Sequence, residues 1–170
     1  MARCYWIVGR LVVVFLLAGL PGIAHGGMTV RAKPFVKWAG GKGQLLDQLD
    51  ALLPSDFSQR EDLVYVEPFV GGAAMLFHVL AKYPNIRRAV INDANSELIA
   101  TYRTIKTKPD ELIELLSVLQ NEFLRCENME ARQDMYLKLR EKFNLRKSDE
   151  LEMSSLFIFL NKTCFNGLIG

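Results

Sequence analysis

The sequence predicts an α/β protein: a strand–helix–strand unit early in the chain, then a helical second part. Three observations carry that expectation. Leu63-Val64-Tyr65-Val66 is apolar, β-branched and aromatic, which favours a buried strand. It runs through Glu67-Pro68 and Gly71-Gly72 into Ala74, Phe77, His78 and Ala81, which sit at helical spacing. Arg88-Ala89-Val90-Ile91-Asn92-Asp93 reads as a second strand ending in an acid, and from Ala94 to Leu160 the apolar residues keep helical intervals.

Residues 1–27 stand apart from this pattern. Arg3 and Arg10 precede an apolar run, Leu11 to Leu20, followed by Pro21 and small residues to Gly26. A basic start, a short apolar core and a small-residue end are the parts of a secretory signal. The run is short for a membrane span. A signal, an anchor and translated upstream sequence with Met28 as the true start are the three readings. The last is preferred, because the segments downstream of Met28 suit a protein that works inside the cell.

Bulk charge points to no particular partner. The chain of 170 residues carries a net charge of +2, and two of its 21 basic residues lie in the acid-free first 27 positions. The rest is balanced, so any nucleic-acid contact must use a local patch. Cys4, Cys126 and Cys164 are odd in number and scattered, which gives neither a disulfide framework nor zinc spacing.

Each element has a local reason. Lys33 to Lys42 places Trp38 beside Ala39-Gly40-Gly41-Lys42. The lysine and the glycine amides suit an anion, and the indole suits a flat ring or a sulfonium. It is not a P-loop, since Val36 stands where the first glycine belongs and Gly43 comes after the lysine. Gln44 to Leu53 is an amphipathic helix stopped by Pro54. Proline at position 68 closes the first strand, and Gly71-Gly72 permits a tight turn. A strand, a glycine turn and a helix N-terminus form a nucleotide-type site, although a plain turn has the same local form. Asp93 is placed to accept hydrogen bonds from a ribose diol, or to cap the helix beginning at Ala94. Pro109 starts a helix bearing Leu112, Leu115, Leu116, Leu119 and Phe123. Met135, Leu139 and Phe143 mark the next, and Met153 to Leu160 a buried one. Asn161 to Gly170 reads either as a nucleic-acid contact or as a helix C-cap.

Taken in order, four segments resemble the D12 class of DNA adenine N6-methyltransferases. They are Lys37 to Lys42, Tyr65 to Gly72, Ile91 to Asn95, and Arg140 to Asn144 together with Phe159 to Leu168. The resemblance implies an incomplete Rossmann-like methyltransferase sheet with a mainly helical insertion. Residues 28–107 would be the cofactor-binding part, and 108–170 the start of a truncated target-recognition region. It implies S-adenosylmethionine as cofactor, double-stranded DNA as partner, no metal, a monomeric full-length family member and a cytoplasmic setting. Trp38 and Lys42 would contact the cofactor, with Lys42 near its carboxylate. Glu67, Phe69, Gly71 and Gly72 would shape the pocket, and Asp93 would bind the ribose. Lys162 would meet the DNA backbone. Phe165 and Asn166 would wedge into the duplex and support the flipped adenine.

The family accepts the N6 hydrogens with an Asp/Asn-Pro-Pro-Tyr/Phe segment. The six prolines here never adjoin, so that segment is absent from these 170 residues. Ile169-Gly170 also departs from the arginine that the family places there. The expectation is an N-terminal part, inactive alone, with an unpaired sheet edge and exposed apolar surface that make it prone to aggregate. The alternatives are a methyltransferase-like domain that binds cofactor or DNA without chemistry, an exported or tethered protein reusing the fold, and a dinucleotide-dependent oxidoreductase. The last is disfavoured because Gly71-Gly72 lacks the full Gly-x-Gly-x-x-Gly pattern.

Overall fold

Both expected strands form, and they pair in parallel. The computed structural model describes residues 32–38, 40 and 42–164. The leader and the two wedge residues, Phe165 and Asn166, lie outside the described residues. Strand β1 (Leu63–Glu67) sets Tyr65 opposite Ala89 and Glu67 opposite Ile91 of β2 (Ile86–Ile91). The ladder continues beyond both strands: Asn92 N–H donates to Glu67 O at 2.9 Å, and Val70 N–H to Asn92 O at 2.9 Å. That continuation draws the glycine turn alongside Asp93.

Alternation along β1 sends Tyr65 and Glu67 inward and Val64 and Val66 outward. Val64 is 55% exposed and Val66 60%, with Val90 and Phe69 also exposed nearby. The expected buried strand is therefore covered on one face only among the described residues. The sheet has two strands there, and the crossover helix and helical body cover its inner side.

Two short helices belong to the sheet. Helix α1 (Leu46–Ala51) follows a 3₁₀ turn at Lys42–Gln44, and α2 (Ala74–Lys82) crosses from β1 to β2. Asp50 of α1 joins them. Its carboxylate accepts from Tyr83 Oη at 2.9 Å, lies 2.9 Å from His78 Nε2 and pairs with Lys82. The Lys82 ammonium first, then His78 and Tyr83, hold the Asp50 carboxyl down to about 2 from the ordinary 3.8.

The second part is helical as expected, and each helix starts on a legible signal. Asn95 caps α3 (Ser96–Thr107) by accepting from Leu98 N–H at 2.8 Å. Proline begins α4 (Pro109–Arg125). Asn128 and Asp149 cap α5 (Met129–Leu145) and α6 (Glu150–Thr163). Every residue of α6 from Ser154 to Asn161 is buried, because α3, α4 and α5 surround it. Leu98, Ile105, Leu112, Leu116 and Phe143 close on its Leu156–Leu160 run. Ser154 Oγ donates to Thr104 Oγ1 at 2.9 Å, which satisfies the polar pair inside this core. Phe35 and Val36, in the extended segment before Trp38, are drawn into the same core, with Phe35 edge-on to Tyr102 at 5.1 Å. No helix among the described residues is long and apolar enough to cross a membrane.

Candidate functional site

The site is built on the turn between β1 and α2. Gly71 has φ +48°, and Ala73 follows at φ +61°. The second left-handed residue is therefore an alanine, whereas the sequence pointed to the glycine pair. Gly71 is required for a further reason. A Cβ there would stand 2.9 Å from both Cδ1 and Nε1 of Trp38, so the indole packs directly on the bare backbone. Gly72 is less constrained, since its added Cβ would meet Trp38 Cβ at 3.5 Å and Pro34 Cβ at 3.6 Å, ordinary contacts.

Both polar groups of Gly71 are held. Its N–H donates to Asp93 Oδ2 at 2.9 Å, and its carbonyl accepts from Tyr102 Oη at 2.9 Å. Asp93 Oδ1 accepts from Asn95 N–H at 3.1 Å. The helix cap is thus Asn95, and Asp93 instead ties the glycine turn to the end of β2. Each of its oxygens accepts one main-chain hydrogen bond and retains a lone pair.

On the other side of the turn a buried carboxylate pairs with a half-exposed lysine. Glu67, 4% exposed, accepts from Lys42 Nζ at 2.6 Å and from Tyr65 Oη at 2.9 Å. Lys42 Nζ also donates to Phe69 O at 2.9 Å. A carboxylate this buried requires such partners. Lys42 thus neutralises Glu67 here, and two of its three donors are engaged. Burial, and then the Glu67 charge, push the Tyr65 phenol well above its usual range. Burial does the same for Tyr102, followed by the charges of Glu67 and Asp93. Both phenols are therefore protonated donors at neutral pH.

Trp38, Lys42, Glu67, Gly71, Gly72 and Asp93 converge on one turn. Phe69 contributes its carbonyl, and its ring is exposed. Lys162 lies at the end of α6, where its carbonyl and that of Cys164 accept from Lys37 Nζ at 3.0 and 3.1 Å. Sequence reasoning passed over Tyr65, Tyr102 and Asn161. Tyr65 could have been found, because alternation puts it on the same strand face as Glu67. Asn161 pairs with Lys37, far away in the chain. Among the described residues no group of three His, Cys, Asp or Glu side chains could hold a metal ion.

The chain's relatives agree with the resemblance. The family model for D12 class N6 adenine-specific DNA methyltransferase matches residues 38–170. The type II methyltransferase M.MjaIII of Methanocaldococcus jannaschii is 45% identical over 141 residues, 82% of this chain and 48% of that protein. The type II methyltransferase M1.LlaDCHI of Lactococcus lactis is 36% identical over 142 residues, 82% of this chain and 44% of that protein. The DNA adenine methylase of Escherichia coli is 32% identical over 136 residues, 80% and 42% of the two chains. The chain spans about half the length of the curated relatives it matches. With a family model covering nearly all of the described residues, this chain belongs to the D12 class of N6 adenine-specific DNA methyltransferases.

Proposed function

We propose that the glycine turn binds S-adenosylmethionine, and that the chain is the cofactor-binding part of an enzyme that methylates adenine N6 in double-stranded DNA. The observation that carries this reading is Asp93, which reaches from the end of β2 to the Gly71 amide and keeps acceptor capacity on both oxygens. The residues around it suit the chemical parts of such a ligand. Asp93 can accept from a ribose diol. The third donor of Lys42 can meet a carboxylate while the buried Glu67 holds the ammonium in place. Trp38 and the exposed Phe69 offer aromatic surface to a flat base or a sulfonium.

When bound, S-adenosylmethionine supplies the methyl group on a sulfonium. The residues of this chain bind and orient. Asp93 and Tyr102 fix the two peptide units that flank Gly71, so the turn is preorganised before any ligand arrives. Lys162 is proposed to set register on the DNA backbone. Acceptance of the N6 hydrogens needs an Asp-Pro-Pro-Tyr type segment, which these 170 residues lack. The chain by itself is therefore proposed to bind cofactor without transferring methyl.

Calorimetric titration of S-adenosylmethionine into the protein, beside Asp93→Ala, tests the reading. Saturable binding that the substitution weakens by roughly tenfold supports it, as loss of a charge-assisted pair of hydrogen bonds should. A folded protein that binds nothing, or an Asp93→Ala variant that binds equally well, overturns it.

A further inference from the structure

Asn161 is a polar residue inside an apolar helix, 1% exposed and next to Leu160 in the core. Its carboxamide meets the Lys37 backbone twice. Lys37 N–H donates to Oδ1 at 2.7 Å, and Nδ2 donates to Lys37 O at 2.9 Å. The side chain thus pairs with the Lys37 backbone as a neighbouring strand would. A second tie joins the same places: Lys37 Nζ donates to the carbonyls of Lys162 and Cys164, at the negative end of the α6 dipole. Trp38 is the next residue after Lys37, and its indole lies on Gly71, whose N–H is held by Asp93.

We propose that Asn161 is a positioning residue for the glycine-turn site: it seats Trp38 on Gly71 by gripping the Lys37 backbone, and so couples that site to the C-terminal turn of α6. The chain of contact is short: Asn161, the Lys37 peptide units, Trp38, Gly71, Asp93. An apolar side chain in place of Asn161 would suit the core but leave the part-buried Lys37 N–H and C=O without these partners. The C-terminal turn of α6, where Lys162 stands, would then feel the state of the cofactor site through one buried amide.

The test uses the full chain with Trp6→Phe, which leaves Trp38 as its sole tryptophan. Asn161→Leu keeps the heavy-atom count and the branching at Cγ and removes the pairing, while Lys37→Ala removes only the ammonium tie. In Asn161→Leu with unchanged helical circular dichroism, Trp38 emission shifts to the red and its acrylamide quenching rises. The dissociation constant for S-adenosylmethionine rises roughly tenfold or more, as expected for a misplaced wall of a site. Lys37→Ala stays within about twofold on both measures, because the main-chain pairing is intact. Parent-like Trp38 emission or parent-like affinity in Asn161→Leu overturns the proposal. The affinity arm rests on the cofactor reading; if the parent binds no S-adenosylmethionine, that reading fails and the emission arm decides alone. If Asn161→Leu does not fold, amide exchange in the parent decides: Lys37 N–H should be as protected as the α6 amides, and exchange at the open-chain rate refutes the grip.

Discussion

Gly71→Ala adds backbone strain and crowding together at the heart of the site. Gly71 has φ +48°, where a Cβ costs about 1–2 kcal/mol. Ala73 already holds an alanine at φ +61° two residues on, so the fold tolerates that term. The second term is the approach of the new Cβ to within 2.9 Å of Trp38 Cδ1 and Nε1, which forces the ring or the turn to move. Overpacking of this kind costs about 1–3 kcal/mol. Together they predict a loss of about 2–5 kcal/mol, a large part of the roughly 5–15 kcal/mol that holds a domain folded. Gly72→Ala is the control. Its added Cβ lies 3.5 Å or more from its neighbours, so the change should stay within about 1 kcal/mol and can be stabilising through the unfolded chain. Urea unfolding followed by far-ultraviolet circular dichroism measures both. Equal midpoints for the two variants would refute the crowding argument.

Other outcomes stem from charge and exposure. The Asp50 carboxyl is held at about 2 in the folded chain against 3.8 ordinarily. Its contribution is therefore complete above about pH 4 and is lost as pH falls from there through 2. Asp50→Asn should flatten that part of the acid-unfolding curve; a curve as steep as the parent's would contradict the assignment. Among the described residues, Val64, Val66 and Val90 leave the outer side of the sheet apolar and open, so the chain should self-associate at micromolar concentration. Val66→Lys should reduce that association without lowering the melting temperature by more than a few degrees, as read by light scattering and thermal circular dichroism. Scattering unchanged by the substitution would remove the outer face as the cause.

The strands and helices were legible because their apolar residues keep a clear period, and because Pro68 and Pro109 mark boundaries with known chemistry; the caps Asn128 and Asp149 showed only in the fold. Asp93 was legible by its place at the end of a strand, although its cap role passed to Asn95, whose side chain reaches Leu98 N–H directly. What escaped depends on partners distant in sequence. Tyr102 shares a helix face with Leu98 and Ile99 and reads as core; only the fold shows its hydroxyl on Gly71 O. Lys42 reads as a ligand for an anion, and the buried Glu67 that engages it lies beyond the loop and α1. Nor can a run such as Leu63 to Val66 reveal which of its faces is covered, since periodicity reports contrast between faces and not what packs on them.

The pairing of Lys37 with Asn161 spans 124 positions. A ribosome adding about 5–20 residues per second exposes Lys37 on the order of ten seconds before Asn161. During that interval β1, the glycine turn, α2 and β2 can assemble, since their contacts are local, whereas Trp38 has nothing to hold it from behind. Closing a loop of that length carries a chain-entropy cost on the order of 4 kcal/mol, which the helical body meets only after α6 has emerged. The site is thus finished last although its residues are made first, and a nascent chain stalled before α6 would display the turn without its tryptophan wall.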